Sequence, residues 1–236
     1  MIGELLGPGV IGVETFGDRA GTTLFPEEEA VVGRAVDKRR REFATVRSCA
    51  RDALVALGHP RAPIIPGERG APRWPEGTVG SMTHCSGYRA AAVAHTAEYA
   101  AIGIDAEPDE PLPEGVLESI ALPEEQVRLR KIATDHPATA WDRLLFSTKE
   151  SVYKAWFPLT RKWLDFEEAD IVIDPVQQTF SARLLVDGPE VDGRSLTGFE
   201  GRWVTERGVV ATGIALARVR SFGERDDAYR ARSPGR

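Results

Sequence analysis

The stretch Trp141 to Pro158, WDRLLFSTKESVYKAWFP, constrains this chain most, because a long helical period and a dense set of ionisable groups occupy the same turns. Trp141, Leu145, Thr148, Val152 and Ala155 recur at steps of four and three, and Leu144 and Trp156 widen the stripe, so one face of a helix is predicted to be buried. The helical period puts Glu150 and Lys154 on the opposite face, with Arg143 and Ser147 beside them and Lys149 on the flank. Thr134 or Asp135 is a candidate cap, Pro137 suits a first turn, and Pro158 is expected to end the helix. Taken alone, Glu150 and Lys154 read as a solvated i,i+4 ion pair worth a few tenths of a kcal/mol.

A second acidic cluster changes the balance. Gly103-Ile-Asp-Ala-Glu107 closes an apolar run from Ala100 that reads as a strand. Asp105 and Glu107 are two apart, so on an extended chain both carboxylates leave the same face. Joined by Glu150 from the helix, they would form an all-oxygen site suited to Mg²⁺, provided the two elements meet.

The pairing of GIDAE with FSTKESVYKAW, preceded by WPEGTVGSMTHC, resembles the signature set of the phosphopantetheinyl transferases, in their larger two-lobed class. The family pattern G-[IV]-D-x-E followed by [FW]-x-x-K-E-[SA]-x-x-K is met at Asp105, Glu107, Lys149, Glu150 and Lys154, and the likeness runs from about Arg39 to Trp163. The resemblance implies an α+β fold of two similar lobes, each an antiparallel sheet packed with a long helix, with the active site between them. It implies transfer of 4'-phosphopantetheine from coenzyme A to a serine of an apo acyl or peptidyl carrier protein of polyketide, fatty-acid or non-ribosomal peptide synthesis. Asp105, Glu107 and Glu150 would then hold Mg²⁺, or Mn²⁺, and Glu150 or a metal-bound water would take the serine proton. Lys149 and Lys154 would offset phosphate charge. Arg39 and Arg47, from an arginine-rich helix, and His84, assisted by Thr83 and Ser81, would contact the coenzyme A phosphates. Some relatives carry a basic residue where this chain has Pro66, and Arg69 is the nearest substitute.

The rest of the chain is read from its own pattern. Val10 to Phe16 is a predicted strand, and Pro26-Glu-Glu-Glu opens a helical region, kinked or broken near Gly33, that ends at Gly58. Pro60 to Pro75 is a Pro-rich connector. Thr78 to Cys85 and Tyr88 to His95 read as a hairpin around Ser86-Gly87, and Ala100 to Glu107 as a third strand. A Pro- and Glu-rich linker from Pro108 to Pro123 marks the expected boundary between lobes 1–108 and 109–220. Beyond the signature helix, Ala169 to Ile173, Thr179 to Val186, Ser195 to Thr205 and Gly208 to Ala217 are predicted strands. Ser221 to Arg236 reads as a mobile tail. No residue-level repeat is visible between the halves.

Composition bounds the function classes. A net charge of −6 disfavours nucleic acid as a partner. Cys49 and Cys85 fit no metal spacing and suit reduced thiols in the cytoplasm. No apolar run approaches the ~18 residues of a membrane span. A cytoplasmic, monomeric enzyme is expected. Two other classes use some of the same residues: a metal-dependent nuclease, and a non-catalytic module that binds nucleotides or carrier proteins. An acidic carrier would need a local apolar or basic patch, for which Arg161, Lys162 and Trp163 are the candidates.

Overall fold

The computed structural model describes residues 1–219, so the expected tail lies outside the described residues. The fold is α+β with antiparallel sheets. A three-stranded sheet runs in the order β1-β3-β2, formed by β1 (Ile11–Phe16), β2 (Thr78–Cys85) and β3 (Tyr88–His95). A five-stranded sheet runs β4-β10-β9-β6-β5, formed by β4 (Tyr99–Pro108), β5 (Ala169–Asp174), β6 (Thr179–Leu184), β9 (Gly198–Glu206) and β10 (Val209–Ala217). The short pair β7 (Glu190–Val191) and β8 (Arg194–Ser195) lies between β6 and β9 in the chain. The predicted hairpin is present with its expected bounds, but the third strand of its sheet is β1. β4 leaves that sheet and pairs with β10 from Tyr99 to Pro108, across the boundary expected at residue 108.

The alternation along β3 explains the layering. Ala91 and Val93 face Cys49, Ala50, Ala53 and Leu54 of α2 (Asp37–Ala56), whereas Tyr88, Ala90, Ala92 and Ala94 face Ile102, Ile104 and Ala106 of β4 and Ala211 of β10. Both faces of this sheet are therefore covered, one by a helix and one by the second sheet. The far face of the second sheet, with Ala101, Ile171, Phe180, Val210 and Ile214, receives Trp141, Leu144, Leu145, Val152, Ala155 and Trp156 of α5 (Trp141–Thr160). These are the apolar positions that the helical period assigned to the buried face.

Several expectations for α5 need correction. Thr134 and Asp135 belong to the preceding helix, α4 (Pro123–Asp135), and the N-cap of α5 is Ala140. Pro158 sits inside the last turn. At that position its missing N–H removes a single helical bond, and the helix stops only where Arg161 turns left-handed at φ 57°. The break expected near Gly33 separates α1 (Pro26–Val32) from α2, and the linker contains the short α3 (Val116–Ile120).

The two halves share one short local match, at the start of a helix in each. Leu24-Phe-Pro-Glu-Glu-Glu opens α1 and Ala121-Leu-Pro-Glu-Glu-Gln opens α4, and each short helix precedes a 20-residue helix, α2 or α5. Glu28 and Glu125 occupy the same place in the two segments. Both are almost fully buried, at 0% and 1% exposed.

Candidate active site

Gly103 decides how closely α5 approaches β4. A Cβ at Gly103 would lie 2.0 Å from the Ser151 carbonyl oxygen and 2.8 Å from the Ala155 nitrogen, so only glycine lets the helix rest on the strand here. At that contact Lys154 Nζ donates to the Ile104 carbonyl at 3.1 Å and to Asp105 Oδ1 at 2.7 Å. The edge of β4 away from β10 is finished by side chains. Ser81 Oγ accepts the Ile104 N–H and Thr83 Oγ1 accepts the Ala106 N–H, both at 3.1 Å, while the Thr83 hydroxyl donates to Asp105 Oδ1. The alternation of Ser81 and Thr83 on β2 thus matches the alternation of outward amides on β4.

Asp105 and Glu107 lie on the α5 side of β4, as their spacing requires, and the strand and helix do meet. Asp105 is 5% exposed, and its Oδ2 is buried without a hydrogen-bond partner. Glu107 is held by Arg143 at 3.2 Å. Burial first, and then the neighbouring Asp105 charge, pushes the Glu107 carboxyl up to about 7, and the same two causes raise that of Glu150. Glu150 carries no hydrogen bond or ion pair from the described residues. Among the described residues no three carboxylate, histidine or cysteine side chains are gathered closely enough to share an ion. The donor chemistry nevertheless fits a hard divalent cation: the candidate ligands are all oxygen, one buried carboxylate oxygen has no partner, and the carboxyls of Glu107 and Glu150 are raised by burial and by the neighbouring Asp105 charge.

Glu150 and Lys154 line a cavity of about 960 Å³ that extends to the arginine face of α2. Arg39, Arg47, Arg69, Arg73, Lys154 and Arg161 contribute cationic groups, against Glu68 and Glu150, so the cavity is electropositive although the chain is acidic. The Arg39 guanidinium contacts His84 Nε2, and Glu42 lies 3.9 Å from each of them. Burial, reinforced by Arg39 and Lys154, lowers the His84 pKa to about 4, so the imidazole is neutral at pH 7 and accepts from the guanidinium. Arg47 is stacked 3.2 Å from the Phe43 ring centroid, and its Nε donates to the Ile64 carbonyl at 2.9 Å. Burial depresses its pKa to about 10, so it remains charged.

Two site expectations do not survive. Lys149 does not reach the cavity: its ammonium is spent on Glu125 at 3.0 Å and on the carbonyls of Phe166 and Ala169 at 2.6 and 2.9 Å, which exhausts its three donors. Ser147, expected beside Glu150, is fully buried and bonded to Thr212. Thr83 lines the cavity, but its hydroxyl is engaged with β4. The sequence reading placed Arg143 beside Glu150 and Lys154 but gave it no role, and its guanidinium ties Glu107 to the carbonyls of Glu110 and Pro111; Glu42, the carboxylate behind Arg39 and His84, was missed. The proximity of Arg143 to the signature motif was the one available signal. Glu42 had none.

Family models match two consecutive stretches, residues 27–94 as a 4'-phosphopantetheinyl transferase N-terminal domain and residues 101–198 as the 4'-phosphopantetheinyl transferase superfamily. This chain belongs to the 4'-phosphopantetheinyl transferase superfamily. It is similar to the 4'-phosphopantetheinyl transferase Svp of Streptomyces mobaraensis, 61% identical over 82% of this chain and 79% of that one. It is also similar to the 4'-phosphopantetheinyl transferases PptT of Mycobacterium tuberculosis, 49% identical over 86% of this chain and 90% of the relative, and Npt of Nocardia iowensis, 48% identical over 92% and 100%. The junction between the two matched stretches falls where β4 of this transferase begins, so the strand that carries Asp105 and Glu107 opens the second.

Proposed function

We propose that the chain transfers 4'-phosphopantetheine from coenzyme A to a serine hydroxyl of an apo acyl or peptidyl carrier protein, releasing adenosine 3',5'-bisphosphate. The observation that carries the reading is that one cavity joins the arginine face of α2 to the Glu150 and Lys154 end of α5. A polyanion laid along it meets matched cations before it reaches Glu150, the one of the three carboxylates that lines the cavity. Arg39 and Arg47, with neutral His84, take the phosphates at the α2 end, where guanidinium forks suit phosphate oxygens. Asp105, Glu107 and Glu150 would hold Mg²⁺, or Mn²⁺, which when bound neutralises pyrophosphate charge. Glu150 accepts the proton of the attacking serine as its oxygen bonds to phosphorus and the bond to the nucleotide phosphate breaks. Lys154, anchored on Asp105, offsets the negative charge that grows on the phosphate oxygens.

The carrier is an acidic protein of polyketide, fatty-acid or non-ribosomal peptide synthesis, met by Arg161, Lys162 and Trp163. Arg161 lines the cavity, and Trp163 is 52% exposed. The repeated Pro-Glu-Glu helices support a division into two similar lobes, 1–108 and 109–220, with the site between them. No helix of the described residues is long and apolar enough to cross a membrane, and the proposed setting is a cytoplasmic monomer. The test is to incubate the chain with coenzyme A, Mg²⁺ and a purified apo carrier protein and to weigh the carrier. A gain equal to phosphopantetheine on one serine is expected. An unmodified carrier alongside a demonstrably active control transferase overturns the reading.

A further inference from the structure

The repeated glutamates Glu28 and Glu125 make the same connections in the two halves. Each accepts the N–H of the residue before its helix, Phe25 at 3.0 Å or Leu122 at 2.8 Å. Each also accepts an N–H from the chain that follows the long helix, Ile64 of the connector at 2.8 Å or Ile171 of β5 at 2.7 Å. Each pairs with a buried cation on that helix, Arg51 at 2.8 Å or Lys149 at 3.0 Å. The two latches differ in what lies beyond them. The Glu125 latch ends in the core, since neither Lys149 nor the carbonyls it binds line the cavity. The Glu28 latch continues. Ile64, whose N–H is fixed by Glu28, offers its carbonyl to Arg47 Nε at 2.9 Å, and Arg47 Nε lies 3.9 Å from Glu28 Oε1 itself. The terminal nitrogens of Arg47 have no partner among the described residues, and Arg47 lines the cavity. The next residue, Ile65, binds the Arg73 N–H, so the same connection also holds the cavity wall from Pro66 to Trp74.

We propose that Glu28 is a positioning residue for coenzyme A binding, acting through Ile64 to hold the Arg47 guanidinium and the 66–74 wall in their binding geometry, whereas its counterpart Glu125 is purely structural. The proposal rests on the reading that Arg47 contacts coenzyme A phosphates. A buried guanidinium with one nitrogen fixed and two free is preorganised for an anion, and preorganisation lowers the ordering cost of binding. Removing the Glu28 charge leaves Arg47 and Arg51 facing each other without the carboxylate between them. Arg47 then swings off its Ile64 anchor.

The Glu125 latch supplies an internal control. E28Q and E125Q each remove one buried carboxylate charge from an equivalent latch, so both are expected to lower the melting temperature. Only E28Q is expected to weaken coenzyme A binding in calorimetry and to raise its KM, by roughly tenfold, with kcat at saturating coenzyme A within about twofold. In a double-mutant cycle the E28Q and R47A losses in affinity should add only in part, because the first acts partly through the second residue. Unchanged affinity in E28Q, equal weakening in E125Q, or fully additive losses would each overturn the proposal while leaving the cavity reading in place. Unchanged affinity in R47A removes that underlying reading and the proposal with it. Should E28Q fail to fold, E28D, which keeps the charge but withdraws it by one methylene, is measured against E125D on the same criteria.

Discussion

The two groups most exposed to test at the level of single residues are Lys154 and His84. Lys154 donates to the strand through its ammonium, which lies 2.7 Å from Asp105 and 3.1 Å from the Ile104 carbonyl, and the residue lines the cavity. A charge that counts mainly in the transition state lowers turnover when removed, without a matching loss in ground-state binding. Lys154→Ala is therefore expected to lower kcat by about 10²–10³, the range seen for a lost oriented donor, with coenzyme A affinity changed much less. Steady-state kinetics and calorimetry on one carrier protein check this, and near-normal turnover removes Lys154 from the mechanism. For His84 the folded pKa of about 4 lies below the ordinary 6.5. As pH falls through 6.5 the unfolded chain takes a proton that the folded chain refuses until about 4, so stability present at neutral pH is lost across that window. His84→Asn should flatten the fall in melting temperature there. Phosphates beside the ring would raise its pKa, so coenzyme A binding near the middle of the window should take up protons. Calorimetry in two buffers of different ionisation enthalpy reads this directly, and an equal uptake by His84→Asn would refute the assignment.

At the level of elements, the site depends on how α5 lies across β4. Gly103 permits that contact, and a methyl there would meet the Ser151 carbonyl at 2.0 Å, backbone that cannot move aside locally. Gly103→Ala is expected to push the helix off the strand, at a cost of about 1–3 kcal/mol or more, and to lower turnover with stability because Glu150 and Lys154 move with the helix. A thermal melt with unchanged midpoint would show that the contact is looser than described. The hydroxyls of Ser81 and Thr83 close the open edge of β4 in place of a paired strand. Thr83→Val keeps the shape but leaves the Ala106 N–H unsatisfied, which costs about 1–3 kcal/mol, and it frees Asp105 Oδ1 of one donor. A chemical denaturation midpoint unchanged from the parent would exclude the edge-closing role.

At the level of the whole molecule, the cavity draws its cations from α2 and the 66–74 connector on one side and from α5 on the other. A polyanion bound there crosslinks both sheets through their helices. It should raise the melting temperature as a single cooperative transition, because it binds only the folded arrangement. Affinity should fall as salt rises, since charges near the cavity mouth are screened. Scanning calorimetry with coenzyme A in low and high salt tests both. A transition that splits into two on addition of ligand would mean that the cavity does not span the halves.

The sequence by itself determined the elements and the chemical inventory. The period of Trp141 to Trp156 named the face of α5 that is buried, the spacing of Asp105 and Glu107 put both on one face of β4, and the Pro-Glu-Glu starts, the hairpin and most strand bounds lie within a few residues of where turn and breaker signals placed them. These are local properties, set by backbone period and by the conformations that proline, glycine and acidic caps favour. Only tertiary structure decided which elements meet. Lys149 and Lys154 stand five residues apart on one helix. One spends its three donors in the core because α4 and the segment before β5 pack over that flank, and the other reaches Asp105 because Gly103 lets the helix down onto β4. The partner of β4 was likewise invisible, since a strand's pattern gives its faces and not its neighbour. The matching of Glu28 to Glu125 emerged only once the fold aligned two segments 97 residues apart, which share little more than Pro-Glu-Glu.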